Sequence, residues 1–139
     1  MIALDTNILV RLFVEPADDQ ERSQQALVLE RLQSAQSFFV PLTVSLELAW
    51  VLGKVYGCTA PVLREVLDRL TRLANVEVEA ATDLARAADL HVAGLDFADA
   101  LHCARSAHCS ALLTFDDRRF ARKARRLAVR PAVQVPRAG

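Results

Sequence analysis

The feature that most limits what this chain can fold into is its alternation of very short apolar runs with helix-length segments. Apolar runs occupy residues 2–4, 38–40 and 111–115, and a brief alternating piece covers 76–78. The stretches between them are long enough for one helix or more, and no Asn-Gly signal joins any two runs as a hairpin. Strands separated by helices return to their sheet through crossovers, which makes them parallel. The expected fold class is therefore α/β, with a short-stranded, mainly parallel central sheet and helices on both faces. The 139 residues show no repeat, low-complexity stretch or linker, so one domain over residues 1–139 is expected. Apolar residues are 53% of the chain, enough for an ordinary core that removes roughly two-thirds of the unfolded surface from water.

Local signals place the elements. Asp5 ends the first run, Thr6 and Asn7 can cap the next helix, and Ile8, Leu9, Leu12 and Phe13 form a helical stripe closed by Pro16. Residues 17–35 read as a longer helix with Ala26, Leu29 and Leu32 on its apolar side. Thr43 is a good N-cap for a helix that Gly57 stops, and because it is apolar nearly all round it is expected to be buried. Pro61 stands early in a helix reaching about residue 74. Residues 80–92 form another, ended by Gly94, and Asp96 caps a helix over residues 97–108. The run 111–115 is expected as a buried strand leading to Asp116, followed by a basic helix over 118–127 and an edge strand over 133–135.

No window approaches the ~18 uninterrupted apolar residues of a membrane span, and the start MIALD lacks a signal peptide's charged lead and long apolar run. A cytoplasmic protein without membrane contact is expected. Cys58, Cys103 and Cys109 form no CxxC pair and read as free buried thiols. His102-Cys103 and His108-Cys109 would lie roughly 120° apart on one helix, which argues against zinc. Net charge is zero, but residues 1–117 carry 9 basic and all 17 acidic side chains, whereas 118–139 carry 8 basic and none acidic. Arg118, Arg119, Arg122, Lys123, Arg125 and Arg126 thus offer a phosphate-binding face, or simply a solvated one.

Against that basic end stand acids in telling places. Asp5 and Asp116 both follow an apolar run, and crevices of open parallel sheets lie at the carboxyl ends of strands. Glu47 sits in SLELAWV with no basic residue at its helical neighbours 43, 44, 50 and 51, so its charge needs compensation from elsewhere. In LDFADALHCA, Asp96 is the natural cap and Asp99, in apolar surroundings, has the stronger functional claim. Carboxylates gathered without Lys or His would repel unless a hard cation joined them, and oxygen donors suit Mg²⁺ or Mn²⁺. Such a site is suited to phosphodiester hydrolysis.

Asp5-Thr6-Asn7 after an apolar strand, a helical Glu47, DFADAL and Leu113-Thr114-Phe115-Asp116, in that order, resemble PIN-domain nucleases and most of all the VapC toxins of bacterial toxin–antitoxin pairs. The likeness covers residues 1 to about 135. It implies an α/β/α fold of three layers, Mg²⁺- or Mn²⁺-dependent cleavage of RNA, often transfer RNA, and Asp5, Glu47, Asp99 and Asp116 as catalytic metal-site acids. Thr6, Asn7 and Thr114 match positions of supporting polar groups, and Asp96 or Asp117 could share the metal role. A homodimer and a small antitoxin whose tail occupies the acidic site are also implied. Two other readings stay open. A phosphatase with an aspartyl nucleophile wants DxD, but Asn7 holds the second place. A degenerate RNA- or protein-binding module is disfavoured by the presence of all four acids.

Overall fold

The computed structural model describes residues 1–138. By its internal contacts the chain divides into two compact units, Met1–Ala80 and the segment from Ala81 onward. Both are α/β, and every strand pairing among the described residues is parallel, as the absence of hairpin signals predicts. The strands fall into two small sheets, one in each unit.

The first unit runs β1 (Ile2–Ala3), α1 (Thr6–Phe13), α2 (Asp19–Leu32), β2 (Phe38–Val40), α3 (Leu42–Lys54), α4 (Ala60–Arg72) and β3 (Val76–Val78). Its sheet has the order β1-β2-β3, with Phe38 paired to Ile2 on one side and Val76 on the other. As the middle strand, β2 carries two fully buried side chains, Phe38 and Val40. Leu9 of α1, Leu48 and Leu52 of α3 and Leu70 of α4 complete the core. Helix α4 buries Leu63, Leu67 and Leu70 at i, i+4 and i+7.

The second unit runs α5 (Ala81–Val92), α6 (Phe97–Arg105), β4 (Ala111–Leu113), a π-helical turn (Asp117–Ala121), α7 (Arg122–Arg126) and β5 (Ala132–Gln134). Helices α5 and α6 pack through small side chains, with Ala87, Ala88, Ala100, Cys103 and Ala104 all buried. Gly94 turns the chain between them at φ +118°, which a residue with a Cβ rarely adopts. Strands β4 and β5 pair from Ala111–Ala132 to Leu113–Gln134, one residue earlier than the sequence suggests for β5.

Several expectations need correcting. Thr43 is not the cap of α3. That helix begins at Leu42 after Pro41, and the Leu42 amide donates instead to Glu79 Oε1 at 2.9 Å, so a carboxylate just past β3 caps the helix from a distance. Nor is α3 buried all round, since Trp50 is 60% exposed and Glu47 also faces solvent. Helix α2 is shorter than expected. Asp18 caps it through the Glu21 amide, and its buried residue is Val28, with Ala26 and Leu29 exposed. The strand ending near Asp116 is not buried, for Leu113 is 64% and Phe115 84% exposed. The helix after Asp96 stops at Arg105, and the basic segment opens with a π-turn rather than a regular helix. Among the described residues no helix is long and apolar enough to cross a membrane.

Candidate active site

In the first unit Asp5 and Glu47 meet through Thr6. Asp5, and not Thr6 or Asn7 as expected, caps α1, its Oδ1 accepting the Thr6 amide at 2.7 Å. The Thr6 side chain is buried, and its hydroxyl donates to Glu47 Oε1. The charge of Glu47, which has no basic neighbour on its own helix, is met by solvent and by this hydroxyl from α1. None of the described ion pairs involves it. Asn7, next along α1, is exposed.

In the second unit a cavity of about 670 Å³ is lined by Asp96, Asp99, Asp116, Arg119, Lys123 and His91, with Gly94 and Leu95 between. Local structure explains how each arrives there. Asp96 caps α6, its Oδ2 accepting the Asp99 amide at a long 3.4 Å, which sets Asp99 one turn into the helix. Asp116 caps the π-turn in the same way, its Oδ1 accepting the Arg119 amide at 3.0 Å. Thr114 supports that cap, its Oγ1 accepting the Asp116 amide at 3.0 Å. The wide turn is closed by the Ala121 amide on the Asp116 carbonyl, an i to i+5 bond. Arg119 and Lys123 stand four residues apart where the turn passes into α7, and both reach the cavity.

Asp99 is the carboxylate under electrostatic stress. Partial burial pushes its pKa up from the ordinary carboxylate value; the charges of Asp96 and Asp116 push the same way, while His102 and Lys123 oppose them. Among the described hydrogen bonds none is made to its side chain. Burial and the Asp99 charge likewise hold the Cys103 thiol above its usual pKa, so Cys103 stays a protonated core residue; of the three free thiols expected to be buried it alone is, Cys58 being half-buried and Cys109 exposed.

The chemistry of this donor set fits a hard divalent cation. All three carboxylates supply oxygen, and added positive charge would relieve Asp99. Among the described residues no three His, Cys, Asp or Glu side chains form a ready cage. Mg²⁺ does not require one, since one or two carboxylates and retained waters are its common protein coordination.

Of the acids expected from sequence, the second unit thus brings Asp96, Asp99 and Asp116 to one cavity, and the first unit joins Asp5 to Glu47 through Thr6. Asp117 lies half-buried in the π-turn and does not line the cavity. Of the basic cluster only Arg119 and Lys123 line it, and Arg118, Arg122, Arg125 and Arg126 do not. His91 is the residue that sequence reasoning missed. Its ring donates from Nδ1 to the Leu95 carbonyl at 2.7 Å and packs edge-on against Phe97 at 5.8 Å between centroids. A single histidine at the end of a helix carries no signal of this.

The chain belongs to the PIN-domain family, which matches residues 2–126 and so takes in Asp5 and Glu47 as well as Asp96, Asp99 and Asp116. Its members are generally nucleases, which makes the function of this chain nuclease-type. No curated protein matches the chain.

Proposed function

We propose that this chain, as one nuclease domain, is a metal-dependent endoribonuclease of the cytoplasm and the toxin of a VapC-type toxin–antitoxin pair, with transfer RNA as substrate. The observation that carries the reading is the cavity of the second unit, which sets Asp96, Asp99 and Asp116 beside Arg119 and Lys123. Carboxylates alone would repel an RNA phosphate, and cations alone would hold it without chemistry. Asp99 and Asp116 are the acids proposed to hold Mg²⁺ or Mn²⁺ there. A bound divalent ion supplies Lewis-acid charge at the phosphoryl oxygens and a water of lowered pKa. Arg119 offers a planar fork and Lys123 a compact charge for the non-bridging oxygens of the scissile phosphate. Asp96 keeps α6 capped, and Thr114 keeps Asp116 aimed. For Asp5 and Glu47 the proposed metal role rests on the family likeness and on their junction at Thr6.

The toxin assignment rests on motif order, and it brings with it a small antitoxin that blocks the acids. A homodimer is proposed on the exposed apolar side chains Trp50, Val55, Tyr56 and Val62 of the first unit, which need cover to stay out of water. The test is cleavage of transfer RNA by purified protein in chelator, in Mg²⁺ and in Mn²⁺. Cleavage that requires the divalent ion supports the reading. RNA binding without cleavage in any metal would replace it by a binding module.

A further inference from the structure

The basic end of the chain divides into two groups, and the second has no acid near it. A separate open cavity of about 610 Å³ is walled by Arg125, Arg130 and Arg137, with Ala124, Val133 and Gln134 among its floor residues. It shares no residue with the acidic cavity. The cause is helical geometry. Lys123 and Arg125 are two positions apart on α7, about 200° of rotation, so they leave the helix on opposite sides. Arg130 comes after the turn that ends α7, where Ala128 takes φ +52° and Arg86 Nη2 donates to the Arg130 carbonyl at 3.0 Å. Arg137 comes from the segment beyond β5. All three arginines are exposed, no described ion pair involves them, and no Asp or Glu lines the cavity. Arg130 and Arg137 also lie beyond residues 2–126, the span the family accounts for.

We propose that Arg125, Arg130 and Arg137 form a second phosphate-binding site, one that holds backbone phosphates of the RNA strand flanking the scissile one. Three guanidinium groups around one hollow repel each other until anions enter, and their forks match phosphate oxygens in pairs. A phosphodiester chain is favoured over an acidic peptide because Lys123 of the first cationic group and Arg125 of the second stand two residues apart on α7. A strand gripped at Arg119 and Lys123 continues past α7 and meets Arg125 on its other side. The inference rests on the RNA reading above, but its test does not depend on turnover.

The experiment measures binding of a fluorescent single-stranded RNA by anisotropy, without divalent metal, over a series of NaCl concentrations. Wild type is compared with the triple variants R125Q/R130Q/R137Q and R125K/R130K/R137K, each checked for folding by its thermal transition. Each phosphate neutralised on a single strand adds roughly −0.7 to the log–log salt slope, so losing three should flatten it by about 2. The Lys variant keeps the charge and should hold most of the slope, which also covers failure of the Gln variant to fold. A slope unchanged in the folded Gln variant, or lost equally in the folded Lys variant, overturns the proposal. So does polyglutamate binding that the Gln variant loses with RNA binding intact, which would reassign the site to an acidic protein partner. If wild type binds with the steep slope but cleaves no RNA in any metal, the phosphate site stands and the nuclease reading fails.

Discussion

In the first unit the carboxylates are satisfied by the protein, whereas in the second they confront one another. Asp5 accepts a backbone amide and Glu47 accepts the Thr6 hydroxyl, so the pair is stable as it stands. Asp96 and Asp116 spend one oxygen each on caps, and Asp99 stands between their charges without a described donor of its own. The background charge differs as well. The first unit holds 11 acidic and 7 basic side chains, the second 6 acidic and 10 basic. The stressed carboxylate therefore sits in the unit richer in cations, and the relaxed pair in the more acidic one. The stress on Asp99 is thus a local matter of burial and of the neighbouring Asp96 and Asp116 charges, not of net charge.

The largest effect should come from Asp99→Asn. If Asp99 holds the proposed metal, removing its carboxylate should cost at least the roughly 100-fold seen for outer-shell partners at metal sites. RNA cleavage rates at fixed Mn²⁺ measure this, and a variant within about threefold of wild type would take Asp99 out of the chemistry, since outer-shell losses alone start near tenfold. The same variant has an opposite effect on the metal-free fold. The folded-state pKa of Asp99 is raised, so the native protein binds its proton more tightly than the unfolded chain does. The stability this contributes is complete below the ordinary carboxylate pKa and is lost as pH rises through the folded value. Urea denaturation across that window should show wild type losing stability relative to Asp99→Asn, and Mg²⁺ should remove the difference by favouring the ionised form. An identical pH dependence for both proteins would mean the acids of the second unit are no more strained than those of the first.

Next in size is Thr6→Val, which keeps the buried shape and deletes the donor to Glu47. The expected cost is about 1–2 kcal/mol, near that of one hydrogen bond to a charged acceptor that water can partly replace. Asp5→Ala should cost about 1 kcal/mol through the lost cap, and Asp5→Asn much less, because the amide oxygen still caps. Chemical denaturation reads both. If Asp5→Asn instead stabilised the metal-free protein as Asp99→Asn should, the contrast between the units would collapse.

The legibility of these features in the sequence tracks the range of the interactions behind them. Parallel α/β architecture and the cap at Asp96 are carried by the sequence, whereas α1 is capped by Asp5 and not by Thr6 or Asn7, which fit a cap by residue type alone. The cap on Leu42 comes from Glu79, 37 residues on, and no local rule points to it. Thr43 fits a cap by residue type alone. The apolar run at 111–115 reads as buried by composition, yet β4 pairs only with β5 among the described strands and leaves Leu113 and Phe115 in solvent. The acids of the second unit are legible as candidates because strand ends and helix caps are local. The division of the basic cluster is legible only in part, since the rotation between Lys123 and Arg125 is local to α7, whereas Arg119 depends on the π-turn and the second group on Arg130 and Arg137 returning to Arg125.

The smallest effect is expected from Glu47→Gln, and it is the sharpest test of the first unit. A Glu47 buried against a distant arginine would leave that partner uncompensated when neutralised, at a cost of about 3–5 kcal/mol. In the structure Glu47 is exposed and its partner is a hydroxyl. The amide oxygen of Gln accepts that hydroxyl equally well in shape, though without the charge that strengthens the bond. No buried ion is orphaned, and water solvates whatever the hydroxyl does not. The metal-free protein should therefore change by less than about 0.5 kcal/mol, the ordinary range for a surface substitution. If the proposed metal role holds, cleavage and metal affinity should fall while stability does not. Denaturation of the metal-free variant beside a Mn²⁺ titration separates the cases. A loss of several kcal/mol would show that Glu47 compensates a charge inside the first unit, and the difference between a relaxed pair there and a strained cluster in the second would have to be abandoned.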